Sequence, residues 1–393
     1  LWGNWSSTQA ALIVPQPGSS RYYYIFTTDG FYNASLDKGL RYSIVDMCLD
    51  NGNGNVIWNQ KNILVLDTVA EKLTAVRHGN GTDYWIITHK YYSDAFYAFQ
   101  LSANGIVDTV ISHIGSFHPL GLQYPVAAIG QLKASPDGHK LAIGNGNSNN
   151  CIAEYFDFDP LAGTVSNFVN VQWDTLNNFY GISFSPDNTK LYFACNYFSH
   201  GIYQFDLIAG GGDPDSVSAS RTLVTDSSYA YLALQLGPDG KIYSTHTPTT
   251  TSFLGVINNP NASGLACNFA DNLISLSGQS ASYGLPNFVD SYDYSNTIPS
   301  CITGIGEQTG GDHAVAFPNP FVDQTTISFG KSVVNATIIL RNALGQTIMQ
   351  NTNLSGATFV LQRDELSPGL YVVQLIEDGN LIFSKVLVIA QTE

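Results

Sequence analysis

At 393 residues, with 44% apolar and 12% charged side chains, 22 Tyr, 21 Phe and 36 Gly, the chain is too long for one ordinary core and too aromatic for disorder. Sixteen Lys and Arg against 31 Asp and Glu give a net charge of −15 at pH 7, which argues against nucleic acid or anionic lipid as a partner. No apolar run reaches membrane-spanning length, and two β-rich domains are expected.

The first unit of pattern is "ALIVPQPGSSRYYYIFTT" (11–28), two apolar strands about a Pro17-Gly18 turn. "LTAVRHGNGTDYWIITH" (73–89) repeats it with Gly79-Asn80-Gly81 at the turn. Three clearer copies follow: "QLKASPDGHKLAIGN" (131–145), "GISFSPDNTKLYFAC" (181–195) and "ALQLGPDGKIYSTH" (233–246). Their Pro-Asp turns at Asp137, Asp187 and Asp239 lie roughly fifty residues apart. Pro fixes φ, and the following Gly or Asn accepts the positive φ that a tight hairpin demands.

A third strand follows each hairpin, as in "AFYAFQL" (95–101), "IAEYFDFD" (152–159) and "GIYQFDL" (201–207), and a weaker fourth leads onward, as in "FVNVQW" (168–173). Four strands at this period predict a β-propeller, whose blades bury their apolar faces only against one another. Five blades are legible between about residues 10 and 277, and a leftover strand "ASYGLPNFV" (281–289) needs partners. The propeller is placed at 1–290, and the polar, Gly-rich stretch 291–313 reads as a linker. Residues 314–393 carry about seven short alternating strands separated by Gly or Asn turns, the pattern of a small immunoglobulin-like β-sandwich. The chain opens at Leu1 without Met or a signal peptide, which reads as a processed form or a fragment.

The ordered motifs "FPNPF", "ILRNALGQTI", "LSPGLYVVQL" and "SKVLVIA" resemble the type A sorting domain of the type IX secretion system of Bacteroidota. The matching residues are Pro318, Asn319, Pro320, Gly345, Gln346, Gly369, Tyr371 and Lys385. The resemblance implies that the outer-membrane translocon is a partner and that the protein is secreted or held at the outer-membrane surface. The segments "GLRYSIVDMCLD", "EKLTAVRHGNGTDYWIITH" and "SASYGLPNF" resemble WD40-like or quinoprotein-like propellers secreted by the same bacteria. That resemblance implies a seven-blade ring from which this chain lacks about one N-terminal blade, and it lends no catalytic residues.

For chemistry, His78, His89 and His246 stand at strand ends that could meet at a propeller channel, with Asp83 and Glu71 as acidic partners. They are the candidate catalytic set of a channel-mouth hydrolase or lyase, set against a structural role at turn carbonyls, and no catalytic motif links them. "DNGNGN" (50–55) and "GNGNSNN" (144–150) lack the carboxylates of a calcium loop and the Lys of a phosphate loop, so they read as hairpin tips. No cofactor or metal is expected.

Alternation places most aromatic rings between blades, with Tyr91, Tyr92 and Tyr197 as candidate exposed exceptions. Among the five cysteines there is no CxxC pair; Cys267 and Cys301 are a candidate disulfide, and buried free thiols fit as well. Thr68, Thr109, Thr175 and Ser216 lie in Asp-Ser/Thr-apolar triplets that resemble the O-glycosylation sites of exported Bacteroidota proteins. The expected function is binding, adhesion or surface assembly, with a surface glycan, a protein ligand or self-association as the partner.

Overall fold

A computed structural model describes residues 1–30, 36, 38–118, 126–145, 152–173, 178–196, 200–225, 229–247, 252–292, 315–342, 344–377 and 380–391. The chain divides into two compact units, Leu1–Cys301 and Ile302–Glu393.

Among its described residues the first unit contains five consecutive antiparallel sheets. Blade 1 comprises β1 (Ala11–Pro15), β2 (Tyr22–Thr28), β3 (Leu40–Asp46), β4 (Asn55–Val56) and β5 (Ile63–Leu66), the last two sharing the edge of β3. Blade 2 is β6 (Val69–Arg77), β7 (Tyr84–Lys90), β8 (Ala95–Ser102) and β9 (Gly105–His113). Blade 3 is β10 (Leu132–Ala134), β11 (Lys140–Asn145), β12 (Ile152–Asp159) and β13 (Thr164–Asn170). Blade 4 is β14 (Phe179–Phe184), β15 (Lys190–Cys195), β16 (Gly201–Asp206) and β17 (Thr222–Leu223), with a short helix α1 (Pro214–Ala219) capped by Asp213 before its last strand. Blade 5 is β18 (Tyr231–Leu236), β19 (Ile242–His246), β20 (Phe253–Ile257) and β21 (Phe269–Ser275). Blades 2–5 pair their strands in chain order, and blade 1 does so through β4 with β5 added beside β3, which is propeller topology.

The repeated turns explain the hairpins chemically. In "SPDG" and "SPDN", Ser135 Oγ and Ser185 Oγ donate to Asp137 and Asp187, whose carboxylates accept the N–H groups of His139 and Thr189. Gly138 and Asn188 take the positive φ, +76° and +63°, as the sequence requires. Neighbouring tips also bond to each other, since Asn188 Oδ1 accepts the Asp137 N–H at 3.0 Å.

The apolar faces meet between blades. Leu12, Val14 and Phe26 of blade 1 pack on Leu73 and Ile86 of blade 2, and Trp85 and Phe96 of blade 2 pack on Leu141 and Phe156 of blade 3. Tyr155 of blade 3 packs with Phe179 and Phe193 of blade 4, and Tyr192 and Ile202 of blade 4 pack with Tyr231 and Leu234 of blade 5. Burying such side chains is worth about 1.5–3 kcal/mol each, so a single blade with these faces exposed would not persist.

Residues 281–289, expected as a strand, contain no strand. Pro286 has no N–H to give a ladder, and the neighbouring side chains make the contacts instead. Asn287 Nδ2 donates to the Leu73 carbonyl at 2.8 Å while its Oδ1 accepts from Lys133 Nζ at 3.1 Å. Val289 is fully buried in the blade 1–blade 2 core, and Asp290 accepts from Gln235 Nε2 of blade 5 at 2.8 Å. The segment therefore ties blades 1, 2, 3 and 5 together from the inside.

The second unit is one all-β sheet domain: β22 (Val315–Phe317), β23 (Gln324–Asn342), β24 (Thr347–Gln362), β25 (Gly369–Glu377) and β26 (Asn380–Ile389). Among the described residues five strands stand where seven short ones were expected, because β23 and β24 stay hydrogen-bonded through register shifts between Ser328 and Ala336. β23 pairs with β22 and β24 at its start and with β24 and β25 at its end, so it serves both halves of an immunoglobulin-like fold. Phe321, Phe329, Ile338, Leu340, Val373 and Leu387 fill its core.

Candidate functional site

The five inner strands start, and the five second strands end, on one face of the propeller, called the upper face below; the tight Pro-Asp hairpins lie on the other. At the upper face the axis is set by two glutamines. Gln9 Oε1 accepts the N–H of Leu73 at 3.0 Å and of Leu132 at 2.8 Å, and its Nε2 donates to the Leu132 carbonyl at 2.9 Å. Gln131 Oε1 accepts the N–H of Ile182 at 2.7 Å and, more weakly, of Leu234 at 3.4 Å.

Beside them lies a cleft of about 500 Å³ lined by Trp5, Thr8, Glu71, Asn178, Tyr180, Asn196 and Tyr283, among others. Trp5 is 88% and Tyr283 53% exposed, and the Tyr283 ring lies 6.1 Å from that of Tyr180 at a 54° tilt. Glu71 is buried and already engaged, its Oε2 accepting both the N–H and the hydroxyl of Thr8 at 2.7 Å. The backbone N–H of Asn196 donates to the Asn178 carbonyl at 3.3 Å, pairing the two residues at the open end of the β14–β15 hairpin. The Oδ1 atoms of both asparagines are buried without a hydrogen-bond partner.

The rest of the upper face is also polar. Lys72 is fully buried and its Nζ donates to the carbonyls of Ala128, Ile129 and Gly130 at 3.1, 2.8 and 3.1 Å. Burial, opposed by Glu71, draws its ammonium down to about 7. His89 and His118 stack at 3.9 Å, both buried, and each leaves Nδ1 without a partner. Burial, reinforced by Lys72, draws His89 down to about 3, and burial together with the charges of His89 and Lys72 draws His118 well below its ordinary value.

The three histidines singled out in the sequence do not converge. His78 is at the lower hairpin tip, where its Nδ1 accepts the Asn80 N–H at 2.9 Å and its ring stacks on Trp85 at 5.1 Å. His89 is at the upper end of the same hairpin, on the order of 20 Å away at about 3.3 Å per strand residue. His246 belongs to blade 5, stacked on Tyr229 at 4.7 Å. Their expected acids are occupied elsewhere: Asp83 accepts from Asn80 and Gln100, and Glu71 from Thr8. Among the described residues no group of three or more His, Cys, Asp or Glu could hold a metal.

Tyr91 is buried rather than exposed, packed with Leu36 and Ala127, whereas Tyr92 is 55% exposed and meets Phe117 edge-on at 5.0 Å. Tyr197 lies outside the described residues. Cys267 is a buried free thiol, raised by burial, beside Tyr192, and Cys301 lies outside the described residues. Thr109 is exposed on β9, Thr68 is half-buried, Ser216 Oγ caps toward Asp213 at 2.8 Å, and Thr175 lies outside the described residues. The cleft itself was missed in the sequence, since Trp5, Asn178, Asn196 and Tyr283 are distant in the chain and share no motif.

In the second unit, Asn319 clasps the last strand: its Nδ2 donates to the Val386 carbonyl at 2.9 Å and its Oδ1 accepts the Val388 N–H at 2.8 Å. Gly345, at φ +78°, and Gln346 close the β23–β24 turn around Asn342. Tyr371, two residues into β25 from Gly369, donates its hydroxyl to the Ser367 carbonyl at 2.9 Å, and Lys385 stands opposite Val373 on β26. Residues 315–389 match the family described as the secretion system C-terminal sorting domain.

The C-terminal unit is a type IX sorting domain. The chain is therefore exported by type IX secretion, to the cell surface or beyond, and this domain is the part that the secretion machinery recognises. Among the described residues no helix is long and apolar enough to cross a membrane. Ahead of the sorting domain the comparisons show less. No curated protein matches the chain. Among solved structures, a puromycin-hydrolyzing peptidase of Mycobacterium tuberculosis is similar over 73% of this chain and 41% of its own, at 13% identity and a TM-score of 0.43. PorZ, an essential surface component of the type IX secretion system of Porphyromonas gingivalis, is similar over 99% of this chain and 60% of its own, at 10% identity and a TM-score of 0.37. TolB from Acinetobacter baumannii is similar over 68% and 56%, at 12% identity and a TM-score of 0.38. The chain spans less than two thirds of each of these proteins, and likenesses at this level bear on nothing beyond the fold.

Proposed function

We propose that this exported propeller is a surface binding or adhesion protein that takes its ligand into the axial cleft of the upper face. The observation that carries this reading is the pairing, in one cleft, of exposed aromatic rings, Trp5 and Tyr283, with the neutral polar side chains of Ser6, Asn178, Asn196 and Ser282. Recognition sites combine apolar contact area with a few oriented polar atoms in this way. The separation of His78 from His89 and the prior engagement of Glu71 and Asp83 weigh against the alternative of a channel-mouth hydrolase or lyase. Thr109, exposed on the outermost strand of blade 2, is the O-glycosylation candidate best placed to carry a glycan.

Ligand-detected NMR on the full chain, against a library spanning saccharides, peptides and nucleosides, tests the reading. At least one class is expected to bind and to lose about tenfold in affinity in Trp5→Ala, the effect of one removed aromatic anchor. A library containing no binder that depends on Trp5 would contradict it.

A further inference from the structure

We infer that the axial cleft is a site for an uncharged glycosyl unit of a polysaccharide or glycoconjugate. The inference rests on the binding reading above and names the ligand class of that same cleft.

Charge is the first consideration. Among the described residues lining the cleft none is a cation, and the one carboxylate, Glu71, is buried and directed at Thr8. The buried ammonium of Lys72, next to Glu71 in the chain, spends three hydrogen bonds on main-chain carbonyls. An anionic sugar, a phosphate or a nucleotide would enter a negatively charged protein without a countercharge, at a desolvation cost nothing here offsets.

Hydrogen-bonding polarity is the second. The described lining offers neutral groups that both donate and accept, the hydroxyls of Ser6 and Ser282 and the side-chain amides of Asn178 and Asn196. A ligand with closely spaced groups that also donate and accept matches this lining, and the vicinal hydroxyls of a pyranose do both while remaining neutral. An extended peptide offers one N–H and one carbonyl per residue, spaced along its length rather than clustered on one small unit.

Shape is the third. Trp5 and Tyr283 are exposed at the cleft, and Tyr180 lies buried against Tyr283. Flat aromatic faces beside hydroxyl-compatible acceptors suit the apolar C–H face and polar rim of a sugar ring. The cleft volume of about 500 Å³ has room for one or two such rings.

The test is a titration of the full chain with methyl glucoside, N-acetylglucosamine, a neutral trisaccharide, glucuronic acid and tetra-alanine, followed by tryptophan fluorescence and saturation-transfer NMR. A neutral saccharide is expected to bind. Trp5→Ala is expected to weaken it about tenfold or more, and Asn196→Ala about fivefold. Because Trp5 is exposed, Trp5→Ala should fold normally; Trp5→Phe, retaining a ring, should recover part of the affinity. If glucuronic acid or tetra-alanine binds through Trp5 and neutral sugars do not, the glycosyl assignment falls while the binding cleft stands. If neutral sugars bind equally well to wild type and Trp5→Ala, the cleft is not their site and the assignment falls. If no probe binds, the assignment falls, and only the wider library decides whether the cleft binds anything.

Discussion

Gln131 repeats across the axis what Gln9 does: each presents a single side-chain oxygen to the N–H groups of two inner strands from adjacent blades, Gln9 to Leu73 and Leu132, Gln131 to Ile182 and Leu234. Both side chains are buried, and both precede the first strand of a blade. Side-chain amides thus replace the missing main-chain pairing where the inner strands of adjacent blades splay apart.

Replacing Gln131 by Ala leaves two buried N–H groups without an acceptor. A loss of about 2–4 kcal/mol in the unfolding of the propeller unit is expected, with Gln9→Ala at least as severe because Nε2 also bonds the Leu132 carbonyl. Urea denaturation of each variant measures it.

The approach of blades 4 and 5 is closest at Gly181, where a Cβ would stand 2.0 Å from the Leu232 carbonyl oxygen. Backbone on the far side cannot yield as a flexible side chain can. Gly181→Ala is expected to destabilise by about 3 kcal/mol or more, in the range of severe overpacking. Thermal melts should show the drop, and a variant within about 0.5 kcal/mol of wild type would show that the inner strands are farther apart than described.

Acid should loosen the propeller through its stacked histidines. In the folded chain His89 titrates near 3 and His118 well below 6.5, so as pH falls from about 6.5 toward 3 the unfolded chain binds protons that the folded one refuses. Stability then falls with pH, by up to about 1.4 kcal/mol per pH unit for each histidine. His118→Phe keeps a ring against His89, and its pH dependence over that window should be shallower by about one proton. Denaturation midpoints from pH 4 to 7 test this.

Lys72 acts in the opposite window. With its folded value near 7 and an unfolded one near 10.4, the unfolded chain holds the extra proton between them, so this residue makes stability rise with pH from about 7 to 10. Lys72→Met should flatten that rise and, at neutral pH, lose about 2–4 kcal/mol by stranding three carbonyls.

In the sorting domain, Asn319 holds β26 by two hydrogen bonds. Asn319→Ala should cost that domain about 1–3 kcal/mol and lower the amount of protein exported relative to the amount synthesised. Quantifying both pools in a type IX secreting host checks the second effect.

The propeller was legible because its hairpins are local: Pro136, Asp137 and Gly138 fix their turn with their own backbone and nearest side chains, and the turn recurs at a near-constant period. The sorting domain was legible through motif residues such as Asn319 and Tyr371, whose hydrogen bonds are specific to one fold. The fate of residues 281–289 was not legible, since alternation suggested a strand, while Pro286 and the interblade bonds of Asn287 made it a strap. The cleft was hidden for the same reason: Trp5 and Tyr283 come together only when the last blade brings the chain back to the first. Whether the histidines meet was not legible from strand ends alone, since His78 and His89 share a hairpin yet occupy its opposite ends.

Hydrogen exchange by mass spectrometry, on the full chain with and without a saturating neutral saccharide, tests the central claim most directly. Added protection is predicted in the peptides covering residues 5–8, 178–180 and 282–284. Protection confined to the hairpin tips around Asp137, Asp187 and Asp239, or none in the propeller at all, would contradict a binding site at the upper end of the axis.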